Sequence, residues 1–222
     1  MEMNQYIDHT LLKPEATLAQ VEKLCQEARE NKFFSVCINS YYVKKAAALL
    51  AGSGVKVCTV VGFPLGASTM ETKRFEAMKA IADGASEIDM VMNISAAKSG
   101  DWQYVLDDMS SLAQVCHAQG KLLKVILETA LLSEEEKKKA CELAVKAGVD
   151  FVKTSTGFST AGATEADVKL MRSIVGKDMG VKASGGIRDA TTAKIMIQSG
   201  ATRLGTSASV EIVKGLTSQG SY

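Results

Sequence analysis

Eight times along the chain a short, β-branched-rich apolar run gives way to a Gly, Ser, Thr or Asp and then to a helical pattern. The runs read as strands cover 6–10, 34–38, 55–61, 86–92, 122–128, 149–154, 180–184 and 202–205. Helical periodicity fills 17–31, 41–51, 70–83, 101–119, 133–147, 164–174, 189–198 and 207–216. Strands separated by helices pair in parallel, because each crossover must return over a face of the sheet. Two α/β architectures meet that demand, the eight-stranded (β/α)8 TIM barrel and the open doubly wound sheet. The count and the even spacing favour the barrel. No Gly-x-Gly-x-x-Gly follows the first run, so a dinucleotide-binding open sheet has no support. At 222 residues a barrel has short loops and no room for a second domain, so 1–222 reads as one compact domain. Local punctuation agrees: Ser133 with Glu136 predicts a capped helix start that Gly148 closes, and Thr17 with Gln20 repeats the pattern.

Charge and composition exclude several functions. Lys plus Arg is 26 and Asp plus Glu is 25, a net charge of +1, which gives nucleic acid no cationic face. The five cysteines include no Cys-x-x-Cys pair and are odd in number, which points to a reducing, cytoplasmic setting. No apolar run approaches the roughly 18 residues of a membrane span. Met1-Glu2-Met3-Asn4-Gln5 has no cationic or apolar signal region. His9 and His117 are too few for a histidine-rich zinc site, and nothing else calls for a metal.

Against this ordinary background, the strands carry charges in the wrong place. Asp89 sits inside Glu87-Ile88-Asp89-Met90-Val91, and Lys124 inside Leu122-Leu123-Lys124-Val125-Ile126. Lys153 follows Phe151-Val152, and Lys182 follows Val181. An ionised group on either face of a barrel strand is costly unless paired. Outward lysines snorkelling between helices are the plain alternative. Four such groups in the fourth to seventh strands, which are neighbours in a barrel, favour one inward-facing cluster. An amine crowded by a second ammonium and partly desolvated is less basic, and a neutral amine attacks carbonyls to form a Schiff base. The protonated imine is an electron sink, and a buried carboxylate such as Asp89 can move the protons. The pattern reads as carbonyl chemistry with aldol cleavage or condensation as the leading case, needing no cofactor.

Two glycine phrases point to phosphate. Strand seven runs into Ser184-Gly185-Gly186-Ile187-Arg188, and strand eight into Gly205-Thr206-Ser207. Backbone amides there, with the helix starts that follow, suit an anion at the last two βα loops of a barrel. Tight turns use Gly-Gly pairs as well. Thr154 and Gly157, straight after Lys153, offer a further hydroxyl and amide. Asp8 and Thr10 share one face at the end of strand one and aim at the same mouth, while His9 points away as a structural histidine. Cys37 shares a face with Ser35 and Asn39. It is either a small core residue or a wall of the pocket. Gly62-Phe63-Pro64-Leu65-Gly66 is a loop candidate after strand three.

Taken in order, Asp8–Lys13, Ser35–Asn39, Val60–Gly66, Glu87–Val91, Leu123–Thr129, Phe151–Phe158, Val181–Arg188 and Gly205–Ser207 resemble the deoxyribose-phosphate aldolases over essentially the whole chain. The resemblance implies a class I aldolase that reversibly cleaves 2-deoxy-D-ribose 5-phosphate to D-glyceraldehyde 3-phosphate and acetaldehyde, without a metal. It implies that Lys153 forms the Schiff base, that Lys182 beside it lowers its pKa, and that Asp89 relays protons with Lys182. Lys124 supports the relay. Asp8, Thr10, Cys37, Thr154, Gly157, Gly185, Gly186, Gly205 and Ser207 would bind the phosphorylated sugar. Tyr222, in a C-terminal tail, would assist proton transfer to the enamine. It also implies a homodimer. Two departures stand out: Phe158 replaces a lysine that some members place near the phosphate, and Asn39-Ser40 stands where many have Asn-Pro. Another aldol or isomerase barrel and a non-catalytic phosphosugar binder are the rival readings.

Overall fold

A computed structural model describes residues 2–217. The strands are β1 (Ile7–Leu11), β2 (Ser35–Ile38), β3 (Lys56–Val61), β4 (Glu87–Val91), β5 (Leu122–Ile126), β6 (Phe151–Lys153), β7 (Gly180–Ser184) and β8 (Arg203–Thr206). The helices are α1 (Leu18–Glu30), α2 (Val43–Leu49), α3 (Met70–Ala82), α4 (Ile94–Lys98), α5 (Trp102–His117), α6 (Glu134–Ala147), α7 (Glu165–Val175), α8 (Ala190–Gln198) and α9 (Ser209–Val213). All neighbouring strands are parallel, and β8 closes on β1 through Asp8 opposite Gly205, so the sheet is a closed barrel in chain order. The (β/α)8 reading holds. The short α4 has no counterpart in the sequence reading, because five residues are too few to show a helical period. The run at 149–154 yields only the three-residue β6, and the last helix is shorter than its pattern.

Local signals explain the boundaries. Ser133 accepts from the Glu136 N–H while Glu136 reaches back to the Ser133 N–H, and Gly148 ends α6 at a φ of 70°. Thr17 and Gln20 make the same reciprocal cap on α1. Asp101 caps α5 through the Tyr104 N–H.

Period-2 alternation splits each strand between two environments. Outward residues such as Val36, Ile38, Ile88, Met90, Leu123, Val125, Val152, Val181 and Leu204 pack with the helices in one large apolar core. His9 also faces outward, where Nδ1 meets Ser209 Oγ at 2.8 Å and Nε2 meets Glu27 Oε2 at 2.9 Å. His117 pairs with Asp150 near the surface. Inside the barrel Leu12, Cys37, Cys58 and Val60 form a small apolar cluster, with Phe63 packed against it. Beside it the interior carries the charged side chains of Asp8, Glu87, Asp89, Lys124, Lys153, Lys182 and Arg203.

The β3–α3 loop is tied down from below. Lys73 of α3, fully buried, donates to Val91 O at 2.9 Å and to Asp108 of α5 at 2.5 Å. Gly66 lies so close to β4 that a Cβ would sit 2.0 Å from Met92 O, at a φ of 70°. Only glycine fits that approach.

Candidate active site

The barrel interior collects the strand charges into one network. Asp89 Oδ2 accepts from Lys153 Nζ at 2.9 Å and from Lys182 Nζ at 2.8 Å. Asp89 Oδ1 accepts from Lys124 Nζ at 2.8 Å and from Cys58 Sγ at 3.1 Å. Asp89 pairs with Lys124 across β4–β5 and Lys153 with Lys182 across β6–β7, and the β5–β6 register, with Lys124 opposite Phe151, sets the second pair two residues nearer the C-terminal mouth. Lys182 also binds Asp8 Oδ2, and Lys124 binds Glu87 Oε2 at 2.5 Å. Arg203 Nη1 bridges Asp8 Oδ1 at 2.9 Å and Glu87 Oε2 at 3.0 Å, its guanidinium 3.5 Å from the Phe34 ring centre. Every member is buried.

The network holds four cations and three carboxylates: Lys124, Lys153, Lys182 and Arg203 against Asp8, Glu87 and Asp89. Burial alone would push the Asp89 carboxyl up, but the ammoniums of Lys124, Lys153 and Lys182 outweigh it and hold it well below the usual carboxylate range. Asp8 is likewise lowered, with Lys182, Arg203 and Lys124 overcoming its burial. Burial works against the charge on Lys182, yet Asp8 and Asp89 raise it above the ordinary lysine value. Lys124 is raised in the same way by Asp89, Cys58, Glu87 and Asp8. Lys153 differs in its contacts: among the described residues its ammonium hydrogen-bonds Asp89 alone.

The other anticipated residues surround this network to different degrees. Cys37 lies inside the barrel opposite Cys58, and its sulfur, the Cys58 sulfur and an Asp89 oxygen lie within 4.8 Å of one another. Asp8, Cys58 and Glu87 form a similar group. A metal ion at either place would have to displace Lys124, whose ammonium already binds Asp89 and Glu87. The Thr10 hydroxyl donates to Asp8 O at 2.9 Å. The Thr154 hydroxyl donates to Ser184 O at 3.1 Å and accepts from Ser184 N at 3.0 Å. Both hydroxyls are therefore engaged with backbone. Gly157, Gly185 and Gly186 have φ values of 87°, 82° and 77°, which turn the chain at the C-terminal ends of β6 and β7. Gly205 is a space requirement: a Cβ there would meet Lys182 Cε at 3.0 Å. Ser207 is exposed at the rim beyond β8. Tyr222 lies outside the described residues.

Sequence reasoning missed Glu87, Arg203, Cys58 and the placement of Glu128. Glu87 and Arg203 open their strands and resemble edge charges. Period-2 alternation alone puts Glu87 on the face of Asp89, and that signal was available.

The arrangement is suited to amine chemistry on a carbonyl: a buried lysine at the C-terminal end of its strand, a carboxylate on its nitrogen, and two further cations behind. Comparison with known proteins agrees. A family model described as DeoC/LacD family aldolase matches residues 2–216. The chain is 62% identical over 221 residues to the deoxyribose-phosphate aldolase of Brevibacillus brevis, covering 100% of this chain and 99% of that protein. Among solved structures, the aldolase QR15 superposes with a TM-score of 0.91 at 42% identity, over 96% of this chain and 95% of that one. A tetrameric deoxyribose phosphate aldolase from Aeropyrum pernix gives a TM-score of 0.90 at 35% identity, covering 96% and 89%. The chain belongs to the DeoC/LacD family of aldolases.

Proposed function

We propose that the protein is a class I aldolase that reversibly cleaves 2-deoxy-D-ribose 5-phosphate to D-glyceraldehyde 3-phosphate and acetaldehyde, with Lys153 as the Schiff-base nucleophile. The observation that carries this is the meeting of Lys153, Lys182 and Lys124 on the single carboxylate of Asp89. With one cation in surplus, loss of a proton from one lysine balances the buried network. Lys153 has the fewest carboxylate contacts to give up.

In the cleavage direction the Lys153 amine adds to the aldehyde carbon C1 of the open-chain sugar, and the carbinolamine loses water to leave an iminium ion. A base takes the proton from the C3 hydroxyl, the C2–C3 bond breaks, and its electron pair moves into the iminium. Glyceraldehyde phosphate departs, leaving the acetaldehyde enamine on Lys153. Protonation at C2 and addition of water release acetaldehyde. Asp89, ionised and within hydrogen-bond reach of the reacting nitrogen, relays these protons together with Lys182, which shares the same carboxylate oxygen. Lys124 keeps Asp89 ionised and oriented. Asp8 fixes Lys182. Tyr222 is assigned to the enamine proton by the resemblance alone.

Gly185, Gly186, Gly205 and Ser207, with Gly157, form the rim that takes the phosphate, and Phe158 leaves this work to backbone amides. Thr10, Cys37 and Thr154 line the wall beneath. The same reading includes a cytoplasmic location and a homodimer. All five cysteines are free and buried. No helix among the described residues is long and apolar enough to cross a membrane. Phe75 and Met78, one turn apart on α3 and largely exposed, offer apolar surface to a second copy.

The test is borohydride reduction in the presence of acetaldehyde, followed by peptide mapping. A gain of one ethyl group on Lys153 is the expected result. An unlabelled Lys153 in folded protein refutes the assignment.

A further inference from the structure

Glu128 follows β5 and is the residue at the mouth whose backbone is most unusual. Its φ is 58°, a left-handed conformation that non-glycine residues seldom adopt. Glycine would take that turn freely, whereas a glutamate there carries backbone strain that its side-chain contacts must offset. The side chain is buried, at 2% exposure. Oε2 accepts from the Thr156 N–H at 3.2 Å and from the Thr156 hydroxyl, while Oε1 has no hydrogen-bond partner among the described residues. The backbone on either side is locked to the Lys153 strand: Leu127 N donates to Lys153 O at 2.9 Å, and Thr129 N to Thr154 O at 3.0 Å.

Thr156 passes the contact on. Its Oγ accepts from Phe158 N at 3.0 Å. The Phe158 ring then meets Phe63, from the β3–α3 loop, edge to face with centroids 5.3 Å apart and planes at 86°. Phe63 in turn packs on the apolar cluster of Leu12, Cys37, Cys58 and Val60 inside the barrel. Loops that follow strands three apart in the barrel are thus joined across its opening. Beside this junction is a cavity of about 370 Å³, with Glu128, Thr156 and Phe158 in its wall together with Pro64, Leu65 and Leu131.

We infer that Glu128 is a positioning residue: its carboxyl group clamps the Thr154–Phe158 loop behind Lys153 and so holds Phe158 against Phe63 as a roof over the substrate chamber. The inference rests on the aldolase reading above. The clamp acts on the loop that grips the sugar phosphate, and among the described residues the Glu128 carboxyl hydrogen-bonds Thr156 and not the Lys153 amine. Its loss weakens binding of the phosphorylated substrate without slowing attack on a small aldehyde that needs no roof. Glutamine at 128 keeps one acceptor oxygen for Thr156 and preserves part of the clamp.

The experiment compares full-length wild type with Glu128→Ala, Glu128→Gln and Thr156→Val. Each is assayed for kcat and KM with 2-deoxyribose 5-phosphate and for the rate of borohydride-trapped imine formation with acetaldehyde. Losing one hydrogen bond to a charged group corresponds to a rise in KM on the order of tenfold. Glu128→Ala and Thr156→Val are expected to show that rise while trapping acetaldehyde at the wild-type rate, with Glu128→Gln intermediate. An unchanged KM in Thr156→Val overturns the clamp, and this variant decides the matter if Glu128→Ala does not fold. Acetaldehyde trapping that falls in step with cleavage also overturns it, because Glu128 would then act at the amine. Wild-type protein that traps no acetaldehyde overturns the aldolase reading itself, a result distinct from either.

Discussion

Replacing Arg203 with methionine tests the charge network without relying on catalysis. Methionine keeps an unbranched apolar stem against Phe34 and Phe151 but removes the guanidinium. Two charge-assisted hydrogen bonds are lost, at 2.9 Å to Asp8 and 3.0 Å to Glu87. Each is worth about 1.5–3 kcal/mol net. Neither carboxylate is left alone, since Lys182 and Lys124 still hold Asp8 and Lys124 still holds Glu87. The expected loss is therefore about 3–4 kcal/mol near neutral pH, at the lower end for breaking a buried ion pair. For a chain of this size that lowers Tm by roughly 6–16 °C.

The loss also has a pH signature. The Asp8 carboxyl is held low in the folded protein, so it contributes stability above its unfolded value of 3.8, and that stability fades as the pH falls. Without Arg203 the carboxyl is held less low and has less stability to lose. The gap between wild type and Arg203→Met should therefore stay constant from pH 7 to about 4 and narrow only below that, where the folded Asp8 carboxyl of the variant protonates before that of the wild type. Urea unfolding at a series of pH values reads it, as a shift in midpoint at unchanged m. A gap under 1 kcal/mol at pH 7, or one independent of pH, would refute the reasoning.

Two further substitutions probe the site and its support. Lys182→Leu removes a cation from beside Lys153 and the partner of both Asp8 and Asp89. Turnover should fall by about 10²-fold or more; steady-state cleavage of 2-deoxyribose 5-phosphate at the wild-type rate would contradict the assignment. Lys73→Met strips Asp108 of its buried partner and should cost about 3–5 kcal/mol. Adding Asp108→Leu should restore most of that, so additive losses in the double variant would show the two to be uncoupled.

Much of this was legible from residue order. Alternating runs and helix caps are local, and Ser133–Glu136 or Thr17–Gln20 needs no distant partner to act. A charge within a buried strand is conspicuous for the same reason, which is why Asp89, Lys124, Lys153 and Lys182 stood out. Glu87 and Arg203 did not, because a charge near the start of a strand looks like an ordinary solvated edge. Glu128 fell inside a run read as strand, and only its left-handed φ turns the side chain toward Thr156.

The chain by itself therefore determined the order of elements, their parallel pairing and the chemical character of the interior groups. Tertiary structure alone decided who meets whom. Asp8 reaches Lys182 across 174 residues and Arg203 across 195. Period-2 patterning states that two residues share a face, but not whether that face is the inside of a barrel. Closure of β8 onto β1 makes it the inside. There, burial forces each charge to find a partner, and that requirement joins residues from six strands, β1 and β4–β8, in one ionic network.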